Sequence, residues 1–305
     1  MAGGSGGEAD EKPTEPNAWE FFIDERHRLV WCNVFKAASS SWMYNFNLLA
    51  GYKEQYLRRS KKSPLALARE RFPRPSVDQL KAALPHSLSF LIVRDPFERL
   101  LSAYRNKIEG FRHKFYRKMA REMTTKFRVR TTPAPGSRRA NGNYPKSEKA
   151  QNMEKSPTFS EFVSWVIASA KRTKGTRMKG SYNGIPGFDE HWAPYFRFCT
   201  PCAVNFTVIA KTDTLNRDEA YIIEKTGIGP AIGRKPGREE KEQRHRPREA
   251  VNAAVGGRTQ DLLPKYYRTL SREQLDGLYD IYRIDFQMFG YDASKYFEIV
   301  PPSSP

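Results

Sequence analysis

Three short stretches of the chain are almost continuously apolar: 28–34 (RLVWCNV), 88–93 (LSFLIV) and 204–210 (VNFTVIA). Runs of this length, bounded by polar loops, predict strands buried on both faces. The first two lead straight into segments of helical period. After the serines at 39–41, Trp42, Phe46 and Leu49 recur at helical spacing and Gly51 marks a stop. After residue 93, Pro96 suits a first helical turn, and Phe97, Leu100, Leu101, Tyr104 and Ile108 make one apolar face. Capping boxes open two more helices, Thr158 to Glu161 for 158–170 and Ser271 to Gln274 for 271–288. Residues 53–87 are basic and helix-like, broken by Pro64, Pro73, Pro75 and Pro85, while KTDTL leaves the third strand as a loop. Strands alternating with helices predict an α/β fold, a central parallel sheet flanked by helices.

The pattern also sets boundaries. Residues 1–19 read as a disordered tail, 20–292 as one domain and 293–305 as a C-terminal tail. Within the domain, 229–261 is rich in Gly, Pro and charge and reads as flexible. Residues 112–149 read as a long basic insertion, with twelve Lys or Arg against Glu122 and Glu148, a net +10. That is over half of the chain's net charge of +18. Such a chain attracts polyanions: nucleic acid, anionic glycans, acidic membranes or nucleotides. The insertion reads either as a solvated loop or as a clamp for one of them.

Three cysteines among 305 residues do not make a disulfide scaffold. Cys199 and Cys202, in CTPC, read as a redox pair, half a zinc site or a local disulfide. No run of 18 apolar residues occurs, and the N-terminus has no apolar signal core. One sequon, Asn205-Phe206-Thr207, matters only in a secretory chain.

Ligands of a parallel α/β sheet sit where strands end and helices begin. There the first unit places Lys36 and three serines, Ser39, Ser40 and Ser41. Hydroxyls and helix N–H groups suit a phosphate, and the lysine neutralises it. The loop lacks both glycines of the nucleoside-triphosphate loop, which disfavours ATP hydrolysis. The second unit places Arg94 directly after FLIV and Ser102 two turns later. An arginine and a serine suit a second phosphate, and Asp95 is placed to cap the helix or to hold Arg94. Two phosphate sites on one sheet predict a bis-phosphorylated nucleotide.

At this point the motifs resemble those of the Golgi carbohydrate sulfotransferases, specifically the group with the chondroitin and dermatan 4-O-sulfotransferases and the HNK-1 sulfotransferase. CNVFKAASSSW, residues 32–42, resembles that family's 5′-phosphosulfate loop, C-x-V-P-K-x-A-C-T-N-W. FLIVRDPFERLLSAYRNK resembles its 3′-phosphate motif almost completely. FDEHW, CTPC, VIAKTDTL and YDIYRIDFQMFGY resemble further blocks, in family order, so that the likeness covers about 20–225 and 270–292. Phe35 departs from the family's proline, Ser39 from its cysteine, and Ser40-Ser41 from Thr-Asn.

The resemblance implies a P-loop-like fold that binds 3′-phosphoadenosine 5′-phosphosulfate (PAPS), with no metal. It implies sulfation of a glycan, GalNAc 4-O in chondroitin or dermatan chains before HNK-1-type glucuronic acid or GalNAc of N-glycans. An inactive relative that binds glycan or nucleotide is a further alternative, and a nucleic-acid-binding protein the weakest. The implied cofactor residues are Lys36, Ala37, Ala38, Ser39, Ser40, Ser41, Trp42, Arg94, Asp95 and Ser102. Lys36 would stabilise the leaving group, and His191, with Glu190 second, would be the base. The partner would be an anionic glycan. The place would be the Golgi lumen, as a type II membrane protein whose anchor this sequence does not contain.

Overall fold

The strand expected near residue 30 gains a neighbour on each side. In the computed structural model, which describes residues 15–110, 113–128, 156–172, 188–234, 257–300 and 302, four strands form one sheet in the order β1-β2-β3-β4. They are β1 Phe21–Asp24, β2 Leu29–Cys32, β3 Leu88–Val93 and β4 Val208–Lys211. β2 pairs parallel with β3 and β3 with β4, as the apolar runs predict. The sheet is nevertheless mixed. β1 folds back on β2 as an antiparallel hairpin, Phe21 opposite Cys32 and Asp24 opposite Leu29. Asp24 closes that turn by accepting from the His27 N–H and holding His27 Nδ1 at 2.6 Å.

The helices are α1 Ser39–Leu49, α2 Glu54–Arg59, α3 Pro64–Arg71, α4 Val77–Ala83, α5 Pro96–Ala103, α6 Lys114–Phe127, α7 Phe159–Arg172, α8 Tyr195–Phe198, α9 Leu215–Thr226, α10 Leu263–Tyr267, α11 Arg272–Phe289 and α12 Ser294–Ile299. The prolines of 53–87 separate α2, α3 and α4 as their sequence predicts. Both predicted capping boxes form, at Thr158–Glu161 and at Ser271–Gln274.

The described residues fall into two compact units. The first holds the sheet with α1–α4, α8 and α9. Its core is aromatic: Trp31 stacks on Phe46 (5.2 Å between centroids) and Trp42 lies 4.4 Å from Phe90. Each such side chain buries about 150–250 Å², so this cluster dominates the unit's hydrophobic stabilisation. Beside it the fully buried Glu20 pairs with Arg69 at 3.3 Å and Arg74 at 3.1 Å, and the Arg69 guanidinium lies 3.6 Å over the Phe22 ring. Burial pulls the Arg69 pKa down to about 10.

The second unit is helical, built from α5–α7 and α10–α12. The apolar face predicted for α5 is buried in full, and Phe97 meets Phe286 and Tyr296 at 4.9 Å each.

Two sequence expectations need correction. Residues 114–127, within the expected basic insertion, form α6, because Tyr116, Ala120 and Met123 give it a buried stripe. Residues 294–299, within the expected C-terminal tail, form α12, anchored by the buried Tyr296. Of the flexible segment expected at 229–261, residues 230–232 and 260–262 are single 3₁₀ turns. The remaining parts of these segments, residues 129–149 and 235–256, and the N-terminal stretch 1–14 lie outside the described residues.

CTPC is also corrected. Cys199 pairs with Cys32, at the end of β2, and Cys202 is an exposed thiol. The partner lies 167 residues away in sequence, so no local spacing reveals it. With Cys199 committed to that bond, neither a CTPC redox pair nor a zinc half-site forms.

Candidate active site

The first unit places Lys36, Ala37, Ala38, Ser39, Ser40 and Ser41 at one corner. β2 ends at Cys32, and the loop turns into α1 at Ser39. Lys36 and Ala38 take left-handed backbone, with φ of 69° and 55°. These are the conformations that glycines usually supply in phosphate loops, and non-glycine residues hold them at a cost of about 1–2 kcal/mol each. Alternating left-handed residues turn successive N–H groups into a concavity suited to an anion.

The N-cap of α1 is Ala38, and no side chain caps this end. By contrast Ser63, Ser76, Asp95 and Ser271 cap α3, α4, α5 and α11. A missing cap costs about 1 kcal/mol, which an anion at this helix end would offset. The donor set of one lysine, three hydroxyls and helix N–H groups fits a phosphosulfate. Trp42 also lies in the first turn of α1, with its side chain fully buried against Phe90.

Arg94, Asp95 and Ser102 open the second unit. Arg94 is bonded to Val93, the last residue of β3, and its Nε donates to Glu98 Oε2 at 3.3 Å. Asp95 is a structural cap. Its Oδ1 accepts from the N–H groups of Phe97 and Glu98 and from Tyr296 Oη at 2.7 Å, and Lys295 Nζ stands 3.0 Å from Oδ2. Asp95 thus fixes the helix start, as its sequence position predicts, and Arg94 pairs with Glu98. Ser102 sits on the last turn of α5, 7% exposed.

The second unit also holds the histidine. His191 is 6% exposed, and its Nδ1 lies 2.7 Å from Asp189 Oδ1 and 3.0 Å from Tyr116 Oη. A carboxylate at Nδ1 favours the tautomer protonated there, and that tautomer leaves Nε2 as the basic nitrogen. Tyr116, on the buried stripe of α6, donates to Asp189 Oδ2 at 3.1 Å. Burial alone would raise the Asp189 carboxyl, but the hydrogen bonds from His191 and Tyr116 hold it below the ordinary aspartate value. Burial, reinforced by Asp189, pushes the Tyr116 phenol well above its own.

Glu190 is less well placed to act as a base. Its carboxylate stands 3.9 Å from His191 Nδ1, and its carbonyl accepts from Arg99 Nη2 at 3.2 Å. Sequence reasoning selects His191 and misses both of its partners. Asp189 was legible two residues upstream; Tyr116, 75 residues away, was not.

Comparison with known proteins identifies the family. The family model described as "Sulfotransferase family" matches residues 19–292. Carbohydrate sulfotransferase 11 of Mus musculus is 25% identical over 280 residues, covering 91% of this chain and 68% of the relative. Carbohydrate sulfotransferase 14 of Danio rerio is 27% identical over 272 residues, covering 88% of this chain and 61% of the relative. Carbohydrate sulfotransferase 12 of Xenopus laevis is 25% identical over 285 residues, covering 88% and 59%. No solved structure matches the chain at a significant level. With nearly its whole described length inside one family model, the chain belongs to the sulfotransferase family.

Proposed function

We propose that this sulfotransferase moves a sulfuryl group from PAPS to a glycan hydroxyl, the 4-O of GalNAc in chondroitin- or dermatan-type chains. The observation that carries the donor half is the uncapped N-terminus of α1, with Lys36 and Ala38 in left-handed backbone before it. The loop 36–41 takes the 5′-phosphosulfate, and Arg94 with Ser102 takes the 3′-phosphate. The names of the relatives support a carbohydrate acceptor. The 4-O position rests on the motif resemblance alone.

Sulfuryl transfer needs positioned charge more than covalent catalysis. The bond between sulfur and the bridging oxygen breaks as a new sulfur–oxygen bond forms to the sugar. Negative charge left on the nucleotide's phosphate is stabilised by Lys36. The sugar's proton goes to His191 Nε2, whose ring is oriented by Asp189.

An anionic acceptor is supported by α6. Opposite its buried stripe, Lys114, Arg117, Lys118 and Arg121 are all exposed and recur at helical spacing. A Golgi lumen location is supported by the Cys32–Cys199 bond, since disulfides persist in oxidising compartments. No helix of the described residues is long and apolar enough to cross a membrane.

The test is transfer of labelled sulfate from PAPS to a panel of desulfated glycans. Labelling of chondroitin or dermatan at GalNAc 4-O supports the reading. Labelling of another glycan keeps the reaction and replaces the acceptor. Nucleotide binding without labelling replaces the enzyme with a binding protein.

A further inference from the structure

The chain after α5 does not stay α-helical. From Tyr104 to Ile108 it widens into one π-helical turn. Such turns interrupt the helical register, re-aim side chains and recur at functional sites. Three residues of the turn serve the fold. Tyr104 Oη donates to the Pro157 carbonyl, Arg105 Nη1 donates to the Gly257 carbonyl and to Thr259 Oγ1, and Ile108 is fully buried.

Lys107 does not fit that description. Its side chain is half-buried, and its Nζ stands 5.2 Å from the centroid of the Tyr116 ring. That ring carries the hydroxyl bonded to Asp189 and His191, so the ammonium and the histidine share one tyrosine as neighbour. Among the described residues no carboxylate or carbonyl oxygen lies within ion-pair or hydrogen-bond distance of Nζ. The nearby Asp189 carboxylate is spent on His191 and Tyr116. Burial lowers the Lys107 pKa, and Asp189 and Glu190 oppose that shift without reversing it. A half-buried ammonium whose described contact is an aromatic face is less stable than one with a counter-ion.

We propose that Lys107 is an acceptor-reading residue, which pairs with an anionic group on the glycan next to the sugar whose hydroxyl meets His191. This rests on His191 as the base. In a glycan of alternating amino sugar and uronic acid, every acceptor hydroxyl has a carboxylate on the neighbouring unit. An ammonium beside the base selects such chains over neutral ones. It also distinguishes Lys107 from the α6 stripe, which is exposed and meets a polymer at any point along its length.

The experiment measures kcat and KM of wild type, Lys107→Gln and Lys107→Arg on unsulfated chondroitin and on the same chondroitin with its carboxylates reduced to alcohols. A charge-assisted hydrogen bond at a half-buried site sets an expected preference for the carboxylated chain of about tenfold in kcat/KM. In Lys107→Gln that ratio falls toward one, mainly through KM, while the acid limb of the pH–rate profile stays in place; Lys107→Arg keeps most of the preference. Equal losses on both acceptors overturn the proposal, because Lys107 then supports the fold. A displaced acid limb also overturns it, because the cation then acts on His191. If wild type sulfates neither chain, the functional reading fails separately. Titration of wild type and Lys107→Gln with chondroitin oligosaccharides then decides: equal affinity overturns the proposal, and weaker binding by the variant sustains it.

Discussion

At the scale of single residues, the strongest expectations fall on His191 and its two partners. Removing a general base costs about 10²–10⁴ in rate, so His191→Ala should lower kcat by that range with little change in nucleotide affinity. Asp189→Asn should do two things. It should lower the plateau rate, because the ring loses its fixed orientation. It should also move the acid limb of kcat/KM to lower pH, because a carboxylate favours imidazolium and its loss favours the neutral ring. Glu190 and Tyr116 also face this histidine, Lys107 lies over the Tyr116 ring, and all three remain in that variant. A pH–rate profile of both variants checks this; an acid limb that moves to higher pH would contradict the assignment of Asp189. His191 was legible because a histidine in FDEHW, inside a family-like block, is a rare residue in a suggestive place. Tyr116 was hidden by its own surroundings: it is one aromatic in a stretch whose charge reads as a loop. Asp95 was legible in its capping role, which depends on residues within one helical turn, whereas the burial of Trp42 against Phe90 depends on a residue 48 positions away.

At the scale of elements, the sequence was most legible where local chemistry decides the structure. Capping boxes, Pro96 and the apolar face of α5 depend on residues within a turn or two of each other, and each forms as expected. β1 is four residues long and is held by its pairing with β2, so its own pattern says little. α6 depends on three buried positions that a count of charges obscures.

Two measurements probe these elements. Arg69→Met leaves the buried Glu20 carboxylate with Arg74 as its partner. The loss should be about 3–5 kcal/mol in unfolding free energy, read from urea transitions; a loss under about 1 kcal/mol would show that the pair is dispensable. Replacing Lys114, Arg117, Lys118 and Arg121 together with Gln should weaken binding of an anionic glycan and flatten its dependence on salt. An unchanged salt slope would remove α6 from the acceptor surface.

At the scale of the whole molecule, the net charge of +18 and the single disulfide set conditions for the protein. Cys32–Cys199 closes a very long loop, for which chain entropy gives stabilisation of about 5 kcal/mol. It also anchors the end of β2, four residues before Lys36. Reduction, or Cys32→Ser with Cys199→Ser, should lower the melting temperature and the affinity for PAPS together. A fall in one without the other would separate the loop's geometry from the unit's stability. The organisation into two units was not legible from the sequence, which reads 20–292 as one domain. The units exchange segments along the chain, so no linker marks their boundary. The most direct test of the account is sulfate transfer from labelled PAPS to desulfated chondroitin by wild type and by Lys36→Ala. Labelling by wild type and its near-complete loss in Lys36→Ala, with the fold intact by circular dichroism, is the expected result. Undiminished labelling by Lys36→Ala would contradict the role assigned to the loop at the end of β2.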